Sequence, residues 1–161
     1  LIERYVDDIV AVDEVQIAGA VHLLLERQKV LAEGAGAVPL AALLAGLLPC
    51  RADEVVAMVL SGGNIDVNLL ERIVDRGLVA DGRLARLTVT VPDRPGHLAR
   101  LTQLVASAGA NVLDVAHQRA FADISVRDVE IVFYIETRGR GHKAELLALL
   151  AAHDFRVTDH A

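Results

Sequence analysis

Aromatic residues are almost missing from this sequence. Among its 161 residues there is no Trp, and three Phe and two Tyr make up only 3% of the chain. Hydrophobic residues nevertheless account for 53%, which is well above the content of a disordered chain. Because most of them are Ala, Leu and Val, the core must be built from helices and β-branched strands, without aromatic clusters.

The sequence also lacks the features of a secreted or membrane-spanning chain. Cys50 is the single cysteine, so no internal disulfide can form, and we expect a reducing, cytoplasmic setting. The longest apolar run, 35–50, is shorter than the roughly 20 residues of a membrane span and is interrupted by Pro39. We therefore expect no membrane partner. Because the first residue is Leu1, not Met, we also expect the chain to be part of a longer protein.

Basic residues and metal-ligand clusters are scarce as well. Sixteen Lys and Arg stand against 22 Asp and Glu, a formal net charge of −6, which disfavours a nucleic-acid partner. The six histidines are scattered without the spacing of a metal site, so we expect no metal. Lys29 and Lys143 are the only lysines. We expect Lys143 on an exposed helix and neither lysine in the desolvated pocket that a Schiff-base lysine needs.

The first half of the chain has an α/β pattern. Asp8 to Val12 reads as a short strand, and Asp13 is placed to cap a helix with apolar residues at helical spacing. A second helix, from Ala35 to about Leu47, is apolar enough to be buried on all sides. The run Val55 to Leu60 is typical of a strand covered on both faces, and Asp66 begins another helix.

The second half follows a different pattern, after an expected linker from Arg76 to Arg83. Alternating strands and amphipathic helices occur in the order βαββαβ, which predicts a ferredoxin-like sandwich. The domains predicted from these patterns are 1–78 and 84–161. RNA-binding sheets share this order, but they carry basic and aromatic residues on the central strands. Here Glu130 and Glu136 flank Tyr134, which disfavours RNA.

Two loops are candidate ligand sites. Ser61-Gly62-Gly63 follows the predicted buried strand, where ligands bind in open α/β sheets, although a plain strand-to-helix turn has the same composition. Asp93-Arg94-Pro95-Gly96 precedes the first helix of the second half, and a helix N-terminus can hold a carboxylate. A simple helix-start turn explains that loop equally well, so both alternatives stay open here.

Several segments together resemble threonine ammonia-lyases (threonine dehydratases), which are fold-type-II pyridoxal-phosphate (PLP) enzymes. The matching segments of the first half are Tyr5–Val12, Leu25–Lys29, Ala32–Ala37 and Leu60–Asp66. In the second half, Asp93–Leu98 and Gly109–Leu113 resemble the opening of an amino-acid-binding ACT domain. The resemblance implies an α/β fold: the C-terminal part of a three-layer PLP domain, followed by a ferredoxin-like βαββαβ ACT domain.

The resemblance also implies roles for individual residues. Ser61 would hydrogen-bond the PLP ring nitrogen, Gly62 and Gly63 would border the ring, and Glu33 and Gly34 would lie near the cleft. The family's Schiff-base lysine and phosphate loop come earlier in the chain than any segment present here, so we expect this part alone to be inactive.

For the ACT domain, the resemblance implies an amino-acid effector, isoleucine, valine or threonine, bound between two copies of the chain in a homo-oligomer. The candidate effector residues are Asp93, Arg94, Pro95, Gly96, Asn111 and Val112. The open face of the sheet, with Val132 and Tyr134, is expected to meet another subunit. Two alternatives remain: a stand-alone ACT-type regulatory module, and a related serine dehydratase or racemase.

Overall fold

The computed structural model describes residues 2–51, 53–119 and 124–160. The chain divides into two compact units, Leu1–Gly77 and Leu78–Ala161. None of the helices in the described ranges is long and apolar enough to cross a membrane. The two units differ in secondary structure, so each is described by itself.

Helices make up the regular structure of the described part of the first unit. They are α1 (Ile2–Tyr5), α2 (Glu14–Leu23), which continues into a π-helical turn (Leu24–Gln28), α3 (Gly34–Leu44) and α4 (Val67–Ala80), whose last three residues belong to the second unit. Asp13 caps α2 as predicted, because its carboxylate accepts from the Gln16 N–H while the Gln16 side chain accepts from the Asp13 N–H. This reciprocal capping box satisfies two backbone donors and fixes where α2 begins.

The two strands expected in the first unit are absent. Neither Asp8 to Val12 nor Val55 to Leu60 has strand structure, and Val55 and Val59 are 97% and 79% exposed. A strand is stabilised by hydrogen bonds to a neighbour, and no strand lies beside these runs in the described part of this unit. Both predictions of a strand were therefore wrong for this structure.

The helices of the first unit were predicted more accurately than its strands, with two corrections. The apolar helix, α3, is buried along one face through Gly36, Ala37, Ala41 and Ala42, whereas Leu44 is 56% exposed, so it is not covered on all sides. The helix after Asp66 extends to Ala80 and replaces most of the linker expected from Arg76 to Arg83. Leu78 and Val79, which follow Gly77 in this helix, are half-buried.

The second unit is a four-stranded antiparallel sheet with two helices. Its elements are β1 (Leu84–Pro92), α5 (His97–Ser107), β2 (Asn111–Gln118), β3 (Asp128–Glu136), α6 (Arg140–Ala152) and β4 (Arg156–Asp159). The strands lie in the order β2-β3-β1-β4, and the chain order βαββαβ is the predicted one. The ferredoxin-like arrangement is therefore confirmed for this unit.

Alternation along β1 and β3 produces the core of the second unit. Ala85, Leu87, Val89 and Val91 of β1 are buried, as are Val129, Ile131, Phe133 and Ile135 of β3. They pack with Leu101 and Val105 of α5 and with Leu146 and Leu150 of α6. Because residues two apart in a strand share a face, one apolar face receives both helices.

Two predictions about the exposure of side chains in this unit are corrected by the structure. Val132 is only 2% exposed and Tyr134 38%, so the open face of the sheet offers less apolar surface than the sequence suggested. Lys143 is largely covered, because its ammonium group pairs with the Asp159 carboxylate at 2.7 Å.

Candidate functional site

The glycine turn of the first unit packs directly against the start of α3. The Glu33 N–H donates to the Gly62 carbonyl at 3.1 Å, and a methyl group added at Gly36 would overlap the Ser61 carbonyl oxygen. Gly62 has a φ of +73°, and a side chain there would overlap the Glu33 carboxylate. Two motifs that lie about thirty residues apart in the sequence thus form one tight cluster of backbone.

The chemistry of this cluster fits one edge of PLP. Ser61 is exposed and offers a hydroxyl that can donate or accept, and the neighbouring glycines leave room for a flat ring beside the backbone. Neither lysine lies free for a Schiff base: Lys29 donates to the Glu26 carbonyl at 2.7 Å, and Lys143 pairs with Asp159. The residues of the turn therefore fit the ring-nitrogen edge of PLP.

The loop Asp93–Gly96 of the second unit lines a cavity of about 300 Å³ at the end of β1. The cavity is bordered by Val91, Val129 and Ile131, by His97 and Leu98 at the start of α5, and by His117 and Arg119. Gly96 caps α5 without a side-chain hydrogen bond. The first N–H groups of α5 are thus free to meet a ligand carboxylate.

Asp93 and Arg119 form a two-pronged ion pair at this cavity. Arg119 Nε donates to Asp93 Oδ2 at 2.8 Å, and Arg119 Nη2 donates to Oδ1 at 3.2 Å. The hydrogen bond from Arg119 lowers the pKa of the Asp93 carboxyl, and the charges of Arg119 and His117 act in the same direction. Asp93 in turn raises the pKa of the Arg119 guanidinium. Both groups are therefore charged at neutral pH.

The other two predicted effector residues lie at the opposite end of the sheet. Asn111 is paired with Glu136 across β2 and β3, and its Nδ2 donates to Glu136 Oε2 at 2.9 Å. Val112, the next residue of β2, is half-buried. Since β2 has eight residues, its two ends are roughly 20–25 Å apart. The structure thus brings Asp93 to Gly96 together and leaves Asn111 and Val112 at a distance.

His117 and Arg119 are cavity residues that the sequence analysis missed. Their signal was topological: β1 and β2 each pair antiparallel with β3, so they run in the same direction and end at the same edge of the sheet. Residues that follow β2 therefore lie near those that follow β1. The helix N-terminus alone indicated Asp93 and gave no indication of its partner, Arg119.

Comparison with known proteins finds relatives that match nearly the whole chain. The ACT domain family model matches residues 86–126. The L-threonine ammonia-lyases of Thermotoga maritima and Geobacter sulfurreducens are each 45% identical to this chain over 157 residues, which is 98% of the chain and 39% of each relative. The L-threonine dehydratase biosynthetic IlvA of Haemophilus influenzae is 27% identical over 163 residues, 99% of the chain and 30% of that relative.

The chain thus spans about two fifths of the length of its first two relatives. The matched portion is their C-terminal part, and the family that the sequence motifs resembled is the one that the comparison finds. The recognition is therefore confirmed: the chain corresponds to the C-terminal part of threonine ammonia-lyases, and it carries an ACT domain.

Proposed function

We propose that this chain is the C-terminal part of a PLP-dependent threonine ammonia-lyase, which converts L-threonine to 2-oxobutanoate and ammonia. The observation that carries the proposal is the 45% identity to two L-threonine ammonia-lyases over 98% of the chain. In this proposal the predicted first domain, residues 1–78, contributes one edge of the cofactor site. Residues 84–161 form the regulatory domain.

Ser61 is the residue of this chain that would act on the cofactor. PLP, when bound, supplies the electron sink for elimination of the substrate hydroxyl. The Ser61 hydroxyl would hydrogen-bond the ring nitrogen without forcing it to be protonated, because a neutral hydroxyl is both donor and acceptor. Gly62 and Gly63 would border the ring, and the packing of Glu33 and Gly36 against the turn would hold Ser61 in place.

The Ser61 role is tested by Ser61→Ala in the full-length natural protein. Loss of one hydrogen bond to the cofactor is expected to lower kcat roughly tenfold and to change the PLP absorption spectrum. Ser107→Ala is the matched control, because the Ser107 hydroxyl bonds only within α5, to the Leu104 carbonyl at 2.8 Å. Wild-type kcat together with an unchanged spectrum in Ser61→Ala would remove Ser61 from the cofactor site.

The absence of a free lysine supports a second part of the proposal, that this chain alone is inactive. Lys29 is exposed and Lys143 pairs with Asp159, so neither has the desolvated environment that a Schiff-base lysine needs. The Schiff-base amine would come from a lysine in the portion of the relatives that this chain does not match. The cellular setting proposed for the protein is the cytoplasm.

For the second unit we propose that it binds a small amino acid, isoleucine, valine or threonine, at the Asp93–Gly96 loop. The cavity there combines free helix N–H groups with an apolar wall. Asn111 and Val112 are too far away to touch the same small ligand within one copy. A site that uses both groups would therefore form between two copies, in a homo-oligomer, and binding there would shift the lyase between states of different activity.

A further inference from the structure

The topology of the sheet places two opposite charges on either side of one strand. Asp93 follows β1 and Arg119 follows β2, while β3 begins between them with Asp128 and Val129. Neighbouring strands are about 4.8 Å apart, so the ends of β1 and β2 are separated by roughly 10 Å. The long Arg119 side chain spans this gap over the start of β3 and reaches Asp93.

The ion pair that closes the gap is accessible and exchangeable. The side chains of Arg119 and Asp93 are 63% and 39% exposed, and an exposed ion pair contributes little to stability because water screens the charges. The Asp93 backbone is held separately, because its N–H donates to the Arg127 carbonyl at 2.9 Å. The side chains can therefore change partners while that backbone contact keeps the loop in position.

The cavity beneath the pair has the chemical pattern of an α-amino acid. A zwitterion carries a carboxylate, an ammonium group and a side chain on one carbon. Arg119 matches the carboxylate in planar, two-pronged geometry, Asp93 matches the ammonium, and Val91, Val129 and Ile131, each no more than 2% exposed, offer an apolar wall. The cavity of about 300 Å³ has room for an aliphatic side chain.

We propose that Arg119 is a ligand-binding residue that exchanges partners: it leaves Asp93 to bind the carboxylate of an incoming amino acid, while Asp93 takes up the ammonium group. In the free protein the two residues neutralise each other, and the ligand replaces one ion pair by two. This proposal rests on the amino-acid-binding function proposed above. It adds the residue that recognises the carboxylate and a requirement for both charges of the ligand.

The competing explanation is that the ion pair only ties β2 to the loop after β1. In that case Arg119→Ala would weaken every ligand by the same factor, because the loop would lose order whatever the ligand charge. Direct recognition predicts instead a loss that depends on the ligand's own carboxylate. The ratio of two affinities within one variant therefore separates the two explanations.

The test is calorimetric titration of the full-length protein with L-valine and L-isoleucine and with their amides, which lack the carboxylate charge. The unmodified protein is expected to prefer each amino acid over its amide by about 10- to 100-fold. In Arg119→Ala, and in Arg119→Gln as a second variant, this preference should fall roughly tenfold, because only the N–H groups of α5 then remain to bind the carboxylate, whereas Arg156→Ala on the edge strand β4 should keep it.

The reciprocal experiment uses Asp93→Asn and 3-methylbutanoate, which is valine without its ammonium group. The preference for valine over 3-methylbutanoate should be lost in Asp93→Asn and retained in Arg119→Gln. If valine and isoleucine bind but Arg119→Ala and Arg119→Gln keep the full preference for them over the amides, the exchange is wrong and the amino-acid site stands. L-threonine is titrated in the same way, and if none of the three amino acids binds the unmodified protein, the proposed regulatory function fails as well.

Discussion

Gly36 is a residue at which one added methyl group has a large expected effect. Its missing side chain lets α3 approach the Ser61 carbonyl, and backbone cannot move aside as a flexible side chain can. Gly36→Ala is therefore expected to lower the free energy of unfolding by about 1–3 kcal/mol, the usual range for overpacking. The urea midpoint of the helical circular dichroism signal measures it.

Gly19 is the matched control for this substitution. It lies in the interior of α2, and nothing stands within 4 Å of a methyl group added there. Since alanine is the better helix former, Gly19→Ala should be neutral or stabilising by up to roughly 1 kcal/mol. Equal midpoints for Gly36→Ala and Gly19→Ala would mean that α3 does not rest on the glycine turn.

Single residues were predictable where a local rule applies to them. Asp13 follows from the preference of helix N-termini for a carboxylate, and Asp93 follows from the free N–H groups at the start of α5. Arg119 could not be found in that way, because its partner is 26 residues away and is reached only through the pairing of three strands. Local rules thus identified the Asp93–Gly96 loop, whereas the strand topology was needed to identify the ion pair between Asp93 and Arg119.

Among the elements, strands were predicted correctly where their neighbours lie in the same unit. Buried and exposed residues alternate along β1 and β3, and these two strands pair with each other, from Leu84 opposite Glu136 to Pro92 opposite Asp128. The apolar run Val55 to Leu60 has the composition of a strand but no neighbour among the described residues. Composition therefore indicates that a segment can pair, and only the remainder of the sheet determines whether it does.

His142 links two helices and supports a prediction for the second unit. It is buried, with 7% exposure. The Arg138 N–H donates to its Nδ1 at 3.0 Å, so the ring proton is on Nε2, which donates to the Ala108 carbonyl at 2.7 Å. His142→Ala would leave both backbone groups without this partner, and the free energy of unfolding should fall by about 1–3 kcal/mol.

Thermal unfolding of the second unit measures the stability of His142→Ala. The control is His160→Ala, which removes a histidine at the surface. His160 is exposed and lies 2.9 Å from the Thr88 hydroxyl, so His160→Ala should change stability by no more than about 0.5 kcal/mol. A His142→Ala variant as stable as His160→Ala would show that the connection between the end of α5 and the start of α6 is dispensable.

At the scale of the molecule, the two units differ in how much apolar surface each buries for itself. Among the described residues, the second unit has a core of thirteen buried side chains that includes Phe133, Leu87 and Leu101. The first unit has seven, of which four are alanines, Ala20, Ala32, Ala37 and Ala41. Several of its large side chains remain exposed, Val55 and Val59 most of all. Burial of small side chains contributes little, because the stabilisation scales with apolar area.

This contrast predicts different behaviour for the two units when they are produced separately. Residues 78–161 are expected to unfold in one cooperative step, because the sheet and both helices share a single core. Residues 1–77 are expected to bind a hydrophobic dye such as ANS and to associate, because exposed apolar surface promotes contact with other chains. Fluorescence with ANS and sedimentation velocity measure these properties. A monomeric 1–77 segment with a sharp unfolding transition and no dye binding would mean that its alanine-rich core suffices, and that the exposed run at Val55 to Leu60 needs no covering partner.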